Sequence, residues 1–361
     1  MARPETVAAA KNMRYNRVFL HSFGYELAPN VMTSSSIEER LAPLYRRLFL
    51  QPGQLEAWTG IRERRWWDPD FPNAEGARRA ARKALKDGLV PPEDIGVFIY
   101  SGVCRDDFEP ATACYAAAGL GLNSETEIYD ISNACLGVMN GIIDVANRIE
   151  LGQIKAGMVV SCESARDITN IMIDRILEAG SMEMFKTSLA TLTGGSGAVA
   201  YLLTNGSYRP RRPKLVGGVV RAAPQYHRIC RWGFDKHVPP RAAQIMETDA
   251  IAILKHGVEL GKNTWEAMLE ELEWTRASIG QVIGHQVGSN HRLAILRALD
   301  MPPDKDFSTF EYLGNMGTVS VPMTAILAHE RGAIENGMRV AFLGIGSGLN
   351  CLMLGWEWQS E

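Results

Sequence analysis

The feature that most constrains this chain is an internal echo at an offset of 180 residues. Glu150-Leu-Gly-Gln-Ile-Lys-Ala-Gly-Met-Val-Val is answered by Glu330-Arg-Gly-Ala-Ile-Glu-Asn-Gly-Met-Arg-Val, with Glu, Gly, Ile, Gly, Met and Val coinciding. A second echo, in the same order, pairs Ile95-Gly-Val-Phe-Ile with Ile279-Gly-Gln-Val-Ile. The period is far too long for a solenoid. Either two unrelated helix-turn-strand units resemble each other by chance, or the chain is a duplicated α/β unit. Two echoes in one order favour duplication. The same offset sets Cys135 opposite Asn315.

Length and composition fit that reading. A chain of 361 residues suits two packed domains. With 46% hydrophobic and 22% charged residues it supports a large core. A net charge of -3 argues against a nucleic-acid footprint. Apolar runs stay short of 18 residues, so no membrane span is expected. The first 17 residues are polar, lack signal-peptide form and read as loose. Six cysteines without a CxxC pair argue against a zinc ribbon or a disulfide scaffold. A cytoplasmic protein with reduced thiols is expected, without a metal.

Strand-like and helix-like stretches alternate. Helices are expected at 77–88, 136–149, 248–271 and 321–335. Buried strands are expected at 95–101, 157–162, 279–287 and 339–345, with another after the Gly-rich turn at 194–197. A Pro/Arg stretch at 209–213 separates the halves, placed at 1–205 and 206–361. The pattern is that of an α/β fold.

Three residues are candidates for chemistry. Cys135 lies in Asp130-Ile-Ser-Asn-Ala-Cys-Leu-Gly, where a strand-like segment turns into a helix. A helix N-terminus lowers a thiol pKa, and a thiolate exchanges one thioester for another at little cost. A buried structural cysteine is the other reading. His285 follows a strand, in Gly284-His-Gln-Val, and is open both to a site role and to a core role. His291, inside the next helix, reads as non-catalytic. Asn315, in Gly314-Asn-Met-Gly, is either a pair of amide donors or a turn residue.

Other features are weaker. Gly344-Ile-Gly-Ser-Gly does not match a dinucleotide fingerprint, but such a turn can aim N–H groups at an oxyanion. Glu109, in Asp106-Asp-Phe-Glu-Pro, reads locally as a solvated loop carboxylate. Met172, Met182 and Met184 could line an acyl pocket or fill core. Arg62, within Thr59-Gly-Ile-Arg-Glu-Arg-Arg, and Arg212 could contact CoA phosphates or be solvated.

Taken together, Asn133-Ala-Cys-Leu-Gly, Gly284-His-Gln, Gly314-Asn-Met-Gly and Gly344-Ile-Gly-Ser-Gly resemble the thiolase superfamily. They stand in the order of β-ketoacyl-ACP synthase III enzymes, over about residues 15–357. Leu136 after the cysteine and Val287-Gly after His285-Gln depart from ordinary synthase III enzymes. They resemble instead the OleA-type thiolases that begin long-chain olefin biosynthesis.

That resemblance implies a five-layered αβαβα thiolase fold of two duplicated halves, assembled as a homodimer. Cys135 would carry an acyl group from a long-chain acyl-CoA. His285 and Asn315 would polarise the second thioester carbonyl, and the N–H groups of Cys135 and Ser347 would hold the other oxyanion. Glu109 would reach the neighbouring subunit's site and remove an α-proton. No cofactor is implied beyond the CoA thioester substrates, and downstream biosynthetic enzymes are possible partners. Two other functions remain: a decarboxylative synthase III-like condensation with a malonyl thioester, and a non-catalytic acyl-binding protein. Glu109 divides the two chemistries, because only a plain acyl-CoA requires a base for its α-proton.

Overall fold

The computed structural model describes residues 13–209, 212–235 and 244–359. Residues 210–211 of the Pro/Arg stretch and the first 12 residues of the stretch expected to be loose lie outside this description. The rest of that N-terminal stretch is not loose. Met13 and Arg14 pair with Gly218 and Gly217, and Tyr15 is buried.

In chain order the strands that matter here are β1 (Phe19–Leu27), β2 (Ile95–Ser101), β3 (Glu127–Ile131), β4 (Ala156–Glu163), β5 (Gly197–Thr204), β6 (Lys214–Ala222), β7 (Cys230–Phe234), β8 (Gln244–Thr248), β9 (Gln281–Gly284), β10 (Arg339–Gly346) and β11 (Asn350–Glu357). The helices that matter here are α1 (Asn73–Gly88), α2 (Thr112–Ala117), α3 (Gly137–Glu150), α4 (Ala250–Leu272), α5 (Ser289–Leu299) and α6 (Ser320–Glu330).

The sheet path runs β9-β10-β11-β6-β1-β5-β4-β2-β3. It consists of two equivalent sets. In the first, β2 runs parallel to β3 and β4, then β4/β5 and β5/β1 are antiparallel. In the second, β9/β10 is parallel, then β10/β11 and β11/β6 are antiparallel. A parallel bridge from Val282 to Asp306 occupies the place that β3 has in the first set. The sets join through one residue pair, Phe19 with Lys214.

Alternation along the strands sorts residues into layers. On β5, Ala198, Ala200 and Leu202 face the alanine stripe Ala77, Ala80, Ala81 and Ala84 of α1. Val199, Tyr201 and Leu203 face the centre. There they share one core with α3, α6 and the inner residues of β10 and β11. On the far side, Trp265, Met268 and Leu269 of α4 pack on Ala341 and Met353. The order is helix, sheet, paired helices, sheet, helix. α6 carries no charged residue before its last turn, and nine of its residues are buried, as an element enclosed by two sheets requires. Among the described residues no helix is long and apolar enough to cross a membrane.

Candidate active site

Cys135 sits at the junction of β3 and α3. Ala134 takes φ +44°, a left-handed conformation that turns the chain sharply before the thiol. Asn133 braces the turn: its amide donates to Asn140 at 2.8 Å and its oxygen accepts from Asn350 at 3.3 Å. The end of β10 packs directly on this loop. A Cβ at Gly344 would lie 2.6 Å from the side-chain ends of Leu136 and Met139, so any larger residue would push both aside.

The thiol is not activated at rest. Burial pushes it up to about 12, and the nearby Cys230 and Glu163 add to the rise. This overturns the expectation of a lowered pKa. The helix starts two residues later, at Gly137, and the one lowering influence, a backbone hydrogen bond at Cys135 itself, is smaller than the desolvation.

Asn315 is fixed by its backbone. Its N–H donates to Thr193 O at 3.0 Å, and its carbonyl accepts from Gly195 N at 2.9 Å. Gly314 precedes it at φ +67°, where a Cβ would lie 2.5 Å from Thr193 O. The side-chain Oδ1 accepts from Gly317 N at 3.1 Å. A backbone N–H can only meet the oxygen, so the NH2 end is the one turned away from this turn. The turn reading and the donor reading of Asn315 are therefore compatible.

His285 begins the loop after β9, and its N–H donates to Leu343 O at 3.0 Å. Gln286 holds that loop: its oxygen accepts from Thr309 N and Phe310 N at 2.8 and 3.0 Å, and its amide donates to Gly284 O. The His285 ring is pushed down to about 4 by burial, with His291 adding to the shift, so it is neutral at pH 7. Burial lowers His291 to about 4 as well.

Cys135, His285, Asn315 and Ser347 line one cavity of about 360 Å³. Its remaining wall is largely apolar, with Trp58, Ile251 and Leu254 among its residues. A second cavity of about 350 Å³ also reaches Cys135, Asn315 and Ser347, and extends past Ile168, Trp232 and Met316. The thiol therefore stands where two apolar spaces meet. Thioester exchange at the thiol, with amide and imidazole groups at the carbonyl, is chemistry this arrangement can perform.

Other expected site residues fall elsewhere. Glu109 is exposed and lines neither cavity of its own chain; beside it, Phe108 is 90% exposed. Arg62 is exposed three residues beyond Thr59, which lines the first cavity. Arg212 lines a separate recess with His21, Asp87 and His329. It precedes β6, whose other end pairs at Ala222 with Asn350, just past Ser347. A nine-residue strand spans about 30 Å, so Arg212 is at the wrong end for this cavity. Met172 is buried in a small core, and Met182 and Met184 pack on another. Met246 and Met316 line the second cavity instead.

Cys230, expected to be a structural cysteine, also lines the second cavity, as do Trp232 and Glu163, which the sequence does not single out. The first two lie on the short hairpin of β7 and β8, which has too little periodicity to be read. Glu163 had a signal, a carboxylate closing an otherwise apolar strand.

Comparison with known proteins agrees with the geometry. Residues 269–358 match the C-terminal domain of 3-oxoacyl-(acyl-carrier-protein) synthase III. The acyl-CoA:acyl-CoA alkyltransferase of Shewanella oneidensis is 54% identical, over 96% of this chain and all of that protein. The enzyme of the same name from Xanthomonas campestris is 35% identical, over 96% of this chain and all of its own length. A crystal structure of a cysteine-to-alanine variant of X. campestris OleA superposes with a TM-score of 0.90 at 34% identity, covering 96% of this chain and 98% of that one. A cysteine-to-serine variant with bound lauric acid and lauroyl-CoA gives 0.89 at 34% identity, covering 95% and 100%. The chain belongs to the acyl-CoA:acyl-CoA alkyltransferase (OleA) family, within the thiolase superfamily.

Proposed function

We propose that this protein joins two acyl-CoA molecules by non-decarboxylative Claisen condensation through an acyl-Cys135 intermediate. The observation that carries this is the convergence of Cys135, His285, Asn315 and Ser347 where two apolar cavities meet. The family membership supplies the substrate class.

Cys135 attacks the first thioester carbonyl. Its proton leaves, the C–S bond to CoA breaks, and CoA departs as the thiol. The resting thiol is protonated, so stabilisation of the developing oxyanion has to accompany the attack. That role falls to the N–H groups of Cys135 and Ser347. Next, a carboxylate takes an α-proton from the second acyl-CoA, whose carbonyl is polarised by His285 and Asn315. A neutral imidazole with one N–H suits that task. The carbanion attacks the acyl-Cys carbonyl, a C–C bond forms, and the Cys135 thiolate leaves. The product is a β-ketoacyl thioester, released as such or hydrolysed to the β-keto acid. Two acyl-CoA molecules give this product and one free CoA.

The carboxylate is the partner's Glu109, in a homodimer. What supports this is the outward projection of Phe108 and Glu109, away from their own cavity. Phe108 also leans on Phe234, with ring centroids 6.3 Å apart, and both are exposed. Crystal structures of X. campestris OleA include variants of a glutamate and of a histidine as well as of a cysteine. Arg62, near the first cavity, is the remaining candidate for a CoA phosphate. The division into halves 1–205 and 206–361 is supported by the two equivalent strand sets. We place the enzyme in the cytoplasm, upstream of enzymes that consume a β-keto acyl product, with no cofactor.

The test is mass spectrometry after incubation with one acyl-CoA. One acyl mass should appear on the peptide bearing Cys135. An adduct on another cysteine, with none on Cys135, would sink the assignment.

A further inference from the structure

The loop that bears Glu109 is held at both ends by carboxyl groups. Asp106 caps α1 by accepting from Asn73 N and Ala74 N at 2.7 and 2.8 Å. Asp130 receives Thr112 N and Ala113 N of α2 at 3.0 and 2.9 Å. These two are local helix caps. The third is different. Glu163 accepts Val103 N on one oxygen at 2.9 Å and Cys104 N on the other at 3.2 Å. It is 4% exposed, and it lines the second cavity that reaches Cys135. Its carboxyl carbon also lies 3.5 Å from where a Cβ on Gly317 would stand, two residues past Asn315.

One side chain therefore spans from the Cys135–Asn315 site to the root of the loop that projects Glu109. Other bonds at the loop root are single contacts: Gly102 N donates to Ile131 O at 3.3 Å, Cys104 Sγ donates to Ser164 O at 3.3 Å, and Ser164 N donates to Cys104 Sγ at 3.4 Å. The Tyr100 hydroxyl donates to Cys104 O at 2.6 Å, which orients one peptide. The bonds to Glu163 engage two consecutive N–H groups, and both acceptor oxygens are needed. A carboxylate offers two acceptors at the required spread, and an amide offers one.

We infer that Glu163 is a positioning residue for condensation: it sets the loop that delivers Glu109 to the partner subunit's site. This rests on the reading that Glu109 acts across a dimer. Glu163 then serves the neighbouring site rather than its own, although it lies close to its own Cys135. That distinguishes it from a base or a purely structural group beside the nucleophile.

Heterodimers test this with the full chain. Differently tagged subunits are co-expressed, and the mixed dimer is isolated. Glu163→Gln homodimers should still load Cys135 but condense ~10²-fold more slowly, the scale of a misplaced catalytic group. Pairing Glu163→Gln with Cys135→Ser should restore condensation to about half of wild type. One site then has an intact nucleophile and receives Glu109 from a loop held by an intact Glu163. The control pair, Glu109→Gln with Cys135→Ser, should recover equally. If the control recovers and the Glu163 pair stays silent, Glu163 acts in its own site and the inference is wrong. Wild-type condensation by the Glu163→Gln homodimer overturns it too. If the control pair is silent, the reading of Glu109 across the dimer fails and takes this inference with it. Should Glu163→Gln not assemble, Glu163→Asp, which withdraws the carboxylate by one methylene, carries the same expectations.

Discussion

The backbone N–H of Val138 donates to the hydroxyl of Thr318 at 2.7 Å, and the two residues are 180 positions apart. They are equivalent positions of the duplicated unit. Val138 lies in the first turn of α3, where N–H groups lack helical partners, and the other half supplies the acceptor. Cys135 and Asn315 each lie three residues before the two bonded groups. This bond therefore ties together the loops that carry the nucleophile and the amide.

Thr318→Val keeps the shape and removes the acceptor. It should lower stability by about 1–3 kcal/mol, the penalty for a buried unpaired N–H. Condensation should fall as well, and Thr318→Ser should restore both. Denaturant unfolding with parallel rate measurements checks this.

His285→Ala and Asn315→Ala should each lose at least ~10²-fold in condensation rate, the scale of an oxyanion donor. Both should still acylate Cys135. Single-turnover acylation measured against steady-state condensation separates the two steps.

Thiol reactivity should reflect burial. With its pKa pushed up to about 12, Cys135 is protonated through neutral pH. Alkylation by iodoacetamide should therefore keep rising roughly tenfold per pH unit past pH 9, where an ordinary thiol levels off. A plateau near pH 8 in the pH profile of adduct formation would contradict this.

The two half-buried histidines predict acid sensitivity. Both have folded pKa values near 4, below the ordinary 6.5. The folded state then binds fewer protons than the unfolded state between those values. The stability they confer is complete above pH 6.5 and is lost as pH falls through 4, by up to about 3 kcal/mol for each ring. Unfolding free energy measured from pH 7 to pH 4 should show that slope, and His291→Asn should flatten part of it.

Much of this site was legible in the chain, for physical reasons. The repeat reveals the halves because both copies bury the same helix-turn-strand unit against one core. β2 falls on the residues expected, since an apolar run has one buried solution. The strand expected at 279–287 covers Gln281–Gly284 and ends where the Gln286 side chain takes the Gly284 carbonyl. Asn315 follows Gly314, His285 follows a strand end, and Cys135 ends a small-residue turn that leads into a helix. The thiol pKa was misread because sequence shows the helix start but not the desolvation. The loss of Arg212 from the site has the same origin: sequence places it beside a strand without saying which end faces the cavity.

The central claim is that the second substrate is activated by losing a proton, not CO2. The direct measurement supplies one acyl-CoA, labelled with deuterium at the α-carbon, and no malonyl thioester. Wild type should form the β-keto product and lose one α-deuterium for each product formed. Glu109→Gln should load Cys135 and form none. Product only when malonyl thioester is added, or wild-type turnover by Glu109→Gln, would contradict the account and point to a decarboxylative synthase.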